Sequence, residues 1–270
     1  MLSELYKKDR YVATYDYLIN QNIQEWDMSK ANISILRQYN AISDDEYKKL
    51  YDMDKMKREI KIGYMMRDRK DISDIITNGF VEARKHFIES NGINDENILY
   101  IDKDSITVVG IDRPINGRNG YINFRMKNRY TSYYKIFGID LLYCNNGSSD
   151  YFRLKNTNEQ RMREKFYSAD GSFLDLLLDL IYEAETRRKP DMVRMINLAY
   201  RKYTSCALAP TCYREFNQRS MFKLVQSSWS PYTYYSDAVP MDMRYVDISY
   251  NAEILRLFYK YYTREYFNSI

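Results

Sequence analysis

The segment Tyr100-Ile101-Asp102-Lys103-Asp104-Ser105 places two acids one residue apart in a short polar interval. Apolar residues flank it on both sides, at 98–99 and at 106–109. Apolar runs on either side of a short polar interval predict a strand, a tight turn and a second strand. Because alternate side chains of a strand point to the same face, Asp102 and Asp104 can approach one spot.

Two crowded carboxylates repel each other, and a divalent cation between them relieves that repulsion. Mg²⁺ binds proteins through one or two carboxylates together with substrate phosphates. The acid pair therefore predicts metal-dependent phosphoryl or nucleotidyl transfer. A pair of this kind by itself is more often a solvated turn in which Asp binds its own backbone.

Composition narrows the class of protein. A chain of 270 residues forms one or two domains. No stretch has the apolar length of a membrane-spanning helix, and the N-terminal residues lack the apolar core of a signal peptide, so we expect a soluble cytoplasmic protein without membrane contact. Three cysteines and the single His86 argue against a disulfide scaffold, a zinc site or a histidine-dependent triad.

Charge is distributed unevenly along the chain. The net charge is only +4, but six basic residues and no acidic one lie between Arg113 and Lys135. A basic stripe beside an acidic turn is typical of sites where polyanions meet a metal. The alternative is an ordinary solvated basic face. Abundant Lys, Asn, Ile and Tyr indicate an AT-rich coding genome, as in many phages and viruses.

Periodicity predicts the remaining elements. We predict a buried strand at Trp26, followed by a helix at 33–36. A second helix begins at Ser43, which caps it, and contains Lys57, Lys61 and Met65. A third helix opens at Asp71 and runs to Ser90, and a strand starts at Tyr121. Beyond the loop 145–150, our candidate domain boundary, we predict helices at 173–182, 191–203 and 251–266, with a loop at 227–240 before the last.

A third acid is needed to complete a two-metal site, and Asp27 is the best candidate. It stands at the predicted end of the strand that contains Trp26. Its alternative role is that of a helix N-cap.

The segment 100–105 resembles the hairpin motif in the palm of family B DNA polymerases, Tyr-Gly-Asp-Thr-Asp-Ser. Tyr100, Asp102, Asp104 and Ser105 match this motif. Asp27 and Ser34 match the family's first motif, Asp-x-x-Ser-Leu-Tyr-Pro-Ser, and Asn32 stands at the position of its sugar-selecting tyrosine. Lys57 and Tyr64 match the helix motif Lys-x-x-x-Asn-Ser-x-Tyr-Gly. Residues 126–130 are similar to the family's Lys-Lys-Arg-Tyr segment.

The resemblance implies an α+β fold: a palm-like antiparallel sheet with packed helices over residues 1–145, reduced fingers at about 43–70, and a mainly helical thumb-like region at 151–270. It implies a DNA polymerase-like nucleotidyltransferase that uses Mg²⁺ or Mn²⁺, a primer-template and nucleoside triphosphates, with other polymerase or replication subunits as candidate partners. Asp27, Asp102 and Asp104 would bind the metals. Lys57, Lys61 and Tyr64 would bind the nucleotide, and the nucleic acid would contact Lys103, Arg125, Lys127, Arg129 and Tyr130.

Two other classes of protein stay open. One is a non-catalytic nucleic-acid-binding protein derived from such a palm, and the other is an unrelated viral accessory or structural protein. In the latter, the tyrosine-rich C-terminal half would form a protein interface; ordinary core packing of those tyrosines is the simpler interpretation.

Overall fold

The computed structural model describes residues 4–145, 150–155, 157, 172–186, 189–205, 207–208, 214–215, 246–247 and 249–267. These residues form two compact units. The first comprises residues 1–15 and 21–131, and the second comprises residues 16–20 and 132–270. Both contain helices and antiparallel sheets, so the protein has an α+β fold.

The first unit is built on a six-stranded antiparallel sheet with the strand order β1-β4-β5-β3-β7-β6. Its strands are β1 (Arg10–Val12), β3 (Ile23–Met28), β4 (Ile98–Asp102), β5 (Ser105–Val109), β6 (Arg118–Asn119) and β7 (Ile122–Tyr130). Strands β4 and β5 form the predicted hairpin, in which Asp102 pairs with Ser105. β3 lies between β5 and β7, so the strand with Asp27 is a direct neighbour of the hairpin.

Four helices accompany this sheet: α1 (Ala31–Gln38), α2 (Asp44–Tyr51), α3 (Lys55–Asp68) and α4 (Asp71–Ser90). The helix predicted from Ser43 onward is in fact two helices. The Ser43 hydroxyl does cap α2 by accepting from the Glu46 amide at 3.2 Å, but α2 ends at Tyr51. The Asp54 carboxylate then caps a new helix by accepting from the amides of Met56 and Lys57. The range predicted for the fingers thus contains a pair of helices.

One face of the sheet is apolar and forms the core with α1 and α4. Trp26 on β3 lies 5.7 Å from the Phe87 ring on α4, and Phe87 lies 4.6 Å from Phe124 on β7. Ile35 of α1 is fully buried against α4. Trp26 points into this core, and successive side chains of a strand point to opposite faces. Asp27 therefore lies on the opposite face of the sheet.

The close approach of α1 and α4 depends on Gly79. A Cβ atom at this position would lie 2.1 Å from Ile35 Cγ2. We expect Gly79→Ala to destabilise the first unit by about 2 kcal/mol, because overpacking a filled core outweighs the better helix propensity of alanine. The free energy of unfolding in urea measures this.

Gly63 provides the matched control. It lies on α3, and no atom lies within 4 Å of the position its Cβ would take. Gly63→Ala is expected to stabilise the protein by about 0.5–1 kcal/mol. Equal stabilisation by both substitutions would contradict the packing of α1 on α4.

The second unit contains a four-stranded antiparallel sheet, β10-β9-β8-β2, and helices. The strands are β2 (Tyr17–Leu18), β8 (Ser132–Ile136), β9 (Ile139–Asn145) and β10 (Asp150–Lys155), and the helices are α5 (Ser172–Thr186), α6 (Lys189–Thr204) and α7 (Ser249–Phe267). Two short strands, β11 (Arg214–Glu215) and β12 (Val246–Asp247), pair with each other. The predicted C-terminal helices are confirmed, and residues 227–240 lie outside the described part of the chain.

The sheet of the second unit corrects the predicted domain boundary. Asn145 pairs with Asp150, so the loop 145–150 joins two strands of one sheet and separates no domains. The division falls between Thr131 and Ser132. The second unit therefore combines the predicted helices with three strands from residues 132–155, two of which lie in the range predicted for the palm-like domain.

Aromatic residues fill the core of the second unit. Tyr134 stacks on Phe258 with ring centroids 5.0 Å apart, and the hydroxyls of Tyr134 and Tyr262 are hydrogen-bonded. Tyr261 and Tyr262 are buried, which confirms core packing as the simpler interpretation for these two tyrosines. Within the described ranges, no helix is long and apolar enough to cross a membrane.

Candidate functional site

The sheet pairing of the first unit brings Asp27 beside the acidic hairpin. Asp27 pairs with Ser105, the residue that follows Asp104, and the amide of Met28 donates to the Asp104 carbonyl oxygen at 2.9 Å. Ser105 also pairs with Asp102, which lies on the neighbouring strand β4. Because directly paired residues share a face of the sheet, Asp27 and Asp102 point to the same side.

Asp104 sits at the turn, partly buried between these two acids. Partial burial and the negative charges of Asp27 and Asp102 raise the pKa of Asp104, while the Lys127 ammonium opposes that rise. The charge of Asp27 therefore acts on Asp104, in keeping with the backbone contact between their strands. Asp102 is exposed at the end of β4.

Lys127 is brought to these acids by a β-bulge. Glu25 pairs with Asn128 and Trp26 pairs with Met126, so Lys127 is an extra residue in β7. Bulges of this kind redirect a side chain relative to the regular alternation of the strand. The Lys127 Nζ atom lies 3.7 Å from Asp27 Oδ2, with both side chains partly exposed.

A buried carboxylate lies two residues before Asp27 on the same strand. Glu25 is 1% exposed, and its Oε2 atom accepts hydrogen bonds from Asn128 Nδ2 at 2.7 Å and from the Tyr130 hydroxyl at 2.9 Å. This network ties β3 to β7 next to the bulge. The sequence prediction missed Glu25, although its i−2 spacing from Asp27 on a strand could have placed it on the acidic face.

The same network corrects the role predicted for Tyr130. Tyr130 is 1% exposed, so its ring cannot pack on a sugar or base. The structure leaves Arg125, Lys127 and Arg129 exposed on β7. These three residues place positive charge along one exposed strand.

Lys103 lies on the other side of the hairpin from Asp27. It adopts a positive φ of 45°, and its amide donates to the Asp9 carbonyl oxygen at 2.7 Å. Its Nζ atom lies 5.2 Å from the centroid of the Phe80 ring on α4. The side chain therefore packs on a helix in this structure, away from the acidic face where a primer would lie.

A buried arginine fixes the position of this turn. Arg84 is fully buried on α4, and its guanidinium donates to the Tyr6 carbonyl oxygen at 2.7 Å, to the Lys103 carbonyl oxygen at 2.7 Å and to Asp9 Oδ1 at 3.1 Å. The fork of donors in a guanidinium suits such a multiple contact. Arg84 thereby links the N-terminal segment to the turn that carries Asp104, and nothing in its sequence context marked it for this position.

The side of α3 that faces α1 differs from the one implied by the resemblance to the polymerase helix motif, which was the side with Lys57, Lys61 and Tyr64. Asn32 Nδ2, in the segment just after Asp27, donates to Glu59 Oε2 on α3 at 2.8 Å. Lys57 and Lys61 lie two residues on either side of Glu59, and two residues turn an α-helix by about 200°. The two lysines therefore point away from Asn32.

The Tyr64 ring is exposed, and the Arg67 guanidinium lies over it, 5.0 Å from the ring centroid. With Glu59 at the asparagine position of the helix motif, Lys55 and Gly63 fall on its lysine and glycine positions. Lys55 lies one turn before Glu59, on the same side of α3. Lys55 therefore lies on the side of α3 that contacts Asn32, whereas Lys57 does not.

Asp44 joins α2 to α1 and to the start of β7. Its Oδ1 atom accepts from Arg37 Nε at 2.6 Å and from the Tyr121 hydroxyl at 2.8 Å. The hydrogen bond from Arg37, then that from Tyr121, lowers the pKa of Asp44 to about 2. Tyr121 is thus engaged in holding the helix pair to the sheet.

The raised pKa of Asp104 predicts how stability depends on pH. An acid with a raised pKa in the folded state binds its proton more tightly there, so its contribution to stability is present below the unfolded pKa and is lost as pH rises through the folded pKa. We expect Asp104→Asn to be more stable than the wild type at pH 7 and no more stable at pH 3. Urea unfolding at both pH values measures this, and an Asn variant that is less stable at pH 7 would contradict the crowding of the acids.

The donor set suits a hard divalent cation only in part. Over the described ranges, no three His, Cys, Asp or Glu side chains lie close enough together to hold a metal ion. Asp27 and Asp104 offer two neighbouring carboxylates, which is the number Mg²⁺ uses when substrate phosphates supply the remaining ligands. The two acids fit a metal that arrives with its substrate.

The fold and this site define an α+β protein with acids gathered on one face of an antiparallel sheet. The chain belongs to the bacteriophage PBS1 gene 130 protein family, whose model matches residues 1–204. The match covers all of the first unit and the beginning of the second. No curated protein sequence matches the chain.

Proposed function

We propose that the first unit is a phage nucleotidyltransferase that extends a nucleic-acid strand along a template in the host cytosol. The observation that carries this proposal is the pairing of the Asp27 strand with the β4–β5 hairpin, which brings the backbone at Asp27 next to the turn that carries Asp104. This is the arrangement that the resemblance to a family B polymerase palm implies. It joins residues that are far apart in the sequence.

Asp27 and Asp104 would hold Mg²⁺ or Mn²⁺, with Asp102 assisting from its exposed position. The metals, when bound, neutralise the triphosphate and activate the attacking hydroxyl. The Lys127 Nζ atom lies 3.7 Å from Asp27 Oδ2, and its long, flexible side chain would also reach a substrate phosphate beside that acid.

The neighbouring cations complete the substrate-binding surface. Arg125 and Arg129, exposed on the same strand as Lys127, would contact backbone phosphates of a primer-template. Lys55, on the Glu59 side of α3, would attract the incoming nucleoside triphosphate. Other replication subunits are candidate partners.

A second candidate function is supported by the ion pair at Asp27. Lys127 already neutralises this carboxylate, and a protein that had lost catalysis could keep such a pair as a structural contact. In that case the chain would be a non-catalytic nucleic-acid-binding or accessory protein of the phage. Its basic strand would still bind nucleic acid.

Primer extension separates the two candidates. The purified chain is incubated with a labelled primer-template, with deoxyribonucleotides or ribonucleotides, and with Mg²⁺ or Mn²⁺. Our proposal expects the primer to lengthen in a metal-dependent reaction. Tight binding of the primer-template without extension under any of the four conditions would favour the accessory protein.

A further inference from the structure

The second unit contains an open groove of about 620 Å³ along α7. Its charged lining residues are three cations, Arg256, Lys260 and Arg264, and one acid, Glu253, so the lining carries net positive charge. The three cations are four residues apart, so they form one stripe along the helix with a rise of about 6 Å between neighbours. The volume is in the range of ligand pockets, and the charge calls for an anionic ligand.

The three cations of the groove differ in whether they form an ion pair with a neighbouring carboxylate. Arg256 lies 3.3 Å from Glu253 on the same helix, and Arg264 lies 3.7 Å from Asp16. Lys260, in the middle of the stripe, is exposed and has no ion-pair partner in the described part of the chain. Exposed pairs of this kind contribute little stability and exchange readily for another anion.

Phe137 stands at the edge of this groove in an unfavourable backbone conformation. The two-residue turn between β8 and β9 consists of Phe137 with φ of 46° and Gly138 with φ of 81°. Such turns strongly prefer Asn-Gly or Asp-Gly, and a bulky residue at positive φ is an outlier. Strain of this kind is found where a side chain serves a function.

The Phe137 ring is also 47% exposed, although an aromatic ring gains most when it is buried. The partly exposed ring of Tyr259 lines the same groove. The hydroxyl oxygen of Thr263, another lining residue, is buried without a hydrogen-bond partner among the described residues. The groove thus offers cations, aromatic rings and one unused hydroxyl.

We propose that this groove binds single-stranded nucleic acid, with phosphates on the Arg256–Lys260–Arg264 stripe and a base stacked on Phe137. Cations that track a backbone beside an exposed aromatic ring are the usual means of binding single strands without sequence preference. The proposal does not rest on the proposed catalytic function, because it requires none of the acids of the first unit.

The experiment measures binding of the full chain to a fluorescein-labelled oligothymidine of about 12 nucleotides by fluorescence anisotropy over a range of salt concentrations. Lys260→Ala is expected to reduce the slope of log K against log salt by about 0.7, the contribution of one phosphate contact. Arg201→Ala, which removes an exposed cation of α6 outside the groove, is the control and should leave the slope unchanged. Equal slopes for Lys260→Ala and the wild type would overturn the proposal.

Phe137→Asn separates binding from folding. Asparagine suits the positive φ, so this variant is expected to unfold at a higher temperature than the wild type while its affinity for the oligonucleotide falls about tenfold. Unchanged affinity in this more stable variant would remove the stacking role and the proposal with it. Loss of affinity cannot then be attributed to misfolding.

Two further measurements test whether the ligand is a strand rather than a free nucleotide, and whether it binds in the second unit rather than the first. A free nucleoside triphosphate reaches only part of the stripe, so ATP should compete weakly; displacement of the oligonucleotide by equimolar ATP would overturn the assignment to a strand. The effect of Lys260→Ala should persist in a Lys127→Ala background. If only Lys127→Ala weakens binding, the groove proposal fails while the proposed function of the first unit stands.

Discussion

Replacing Asp104 by asparagine is expected to lower the rate of primer extension by about a thousandfold. A bound metal contributes several kcal/mol of transition-state stabilisation, and each 1.4 kcal/mol corresponds to a factor of ten in rate. Asparagine keeps the size of the side chain and one oxygen but removes the charge that balances the cation. Single-turnover primer extension at saturating nucleotide measures the rate of the chemical step.

Two companion variants make this result specific. Asp102→Asn should reduce the rate less, because Asp102 is exposed and only assists. Asp45→Asn, on an exposed acid of α2, should leave the rate unchanged. An Asp104→Asn variant with wild-type activity would exclude carboxylate-bound metals as the basis of the reaction.

Arg84→Met is expected to destabilise the first unit by about 3 kcal/mol. Methionine leaves the carbonyl oxygens of Tyr6 and Lys103 without their donor, and a buried polar group that loses its partner costs about 1–3 kcal/mol. The Asp9 carboxylate, which is 66% exposed, is solvated instead and adds little. Urea unfolding followed by Trp26 fluorescence in a Trp229→Phe background reports on this unit.

Arg67→Met serves as the control for Arg84, since the Arg67 side chain is 70% exposed and its substitution should change stability by less than about 0.5 kcal/mol. Arg84→Lys should recover only part of the loss, because an ammonium cannot reach three oxygens as a guanidinium does. If Arg84→Met were as stable as Arg67→Met, the buried contacts at the hairpin would have no structural importance.

The sequence was sufficient to predict the local elements of the first unit. The β4–β5 hairpin, the strand at Asp27 and the helix α4 follow from apolar periodicity, turn residues and caps, which are local properties. The proximity of Asp27 to the hairpin came from the order of motifs in a resemblance. Periodicity does not specify which strands pair.

The features that were missed depend on contacts between distant segments. Lys127 meets Asp27 because β7 has one more residue than β3 at the bulge, and that difference exists only in the paired sheet. The side of α3 that faces Asn32 is set by how the helix docks, which a four-residue spacing of lysines does not determine. The break between α2 and α3, in contrast, was visible in principle, because Asp54 is a good N-cap.

The proposed function requires Asp27 and Asp104 to bind one divalent cation together. Carboxyl ¹³C NMR of the wild-type chain, titrated with Mg²⁺ in the presence of a nucleoside triphosphate, measures whether they do. We predict that the signals of Asp27 and Asp104 shift in parallel and saturate at the same Mg²⁺ concentration, and that Lys127→Ala lowers this concentration. An Asp27 signal that stays unchanged while Asp104 responds would show that the two acids do not share a metal.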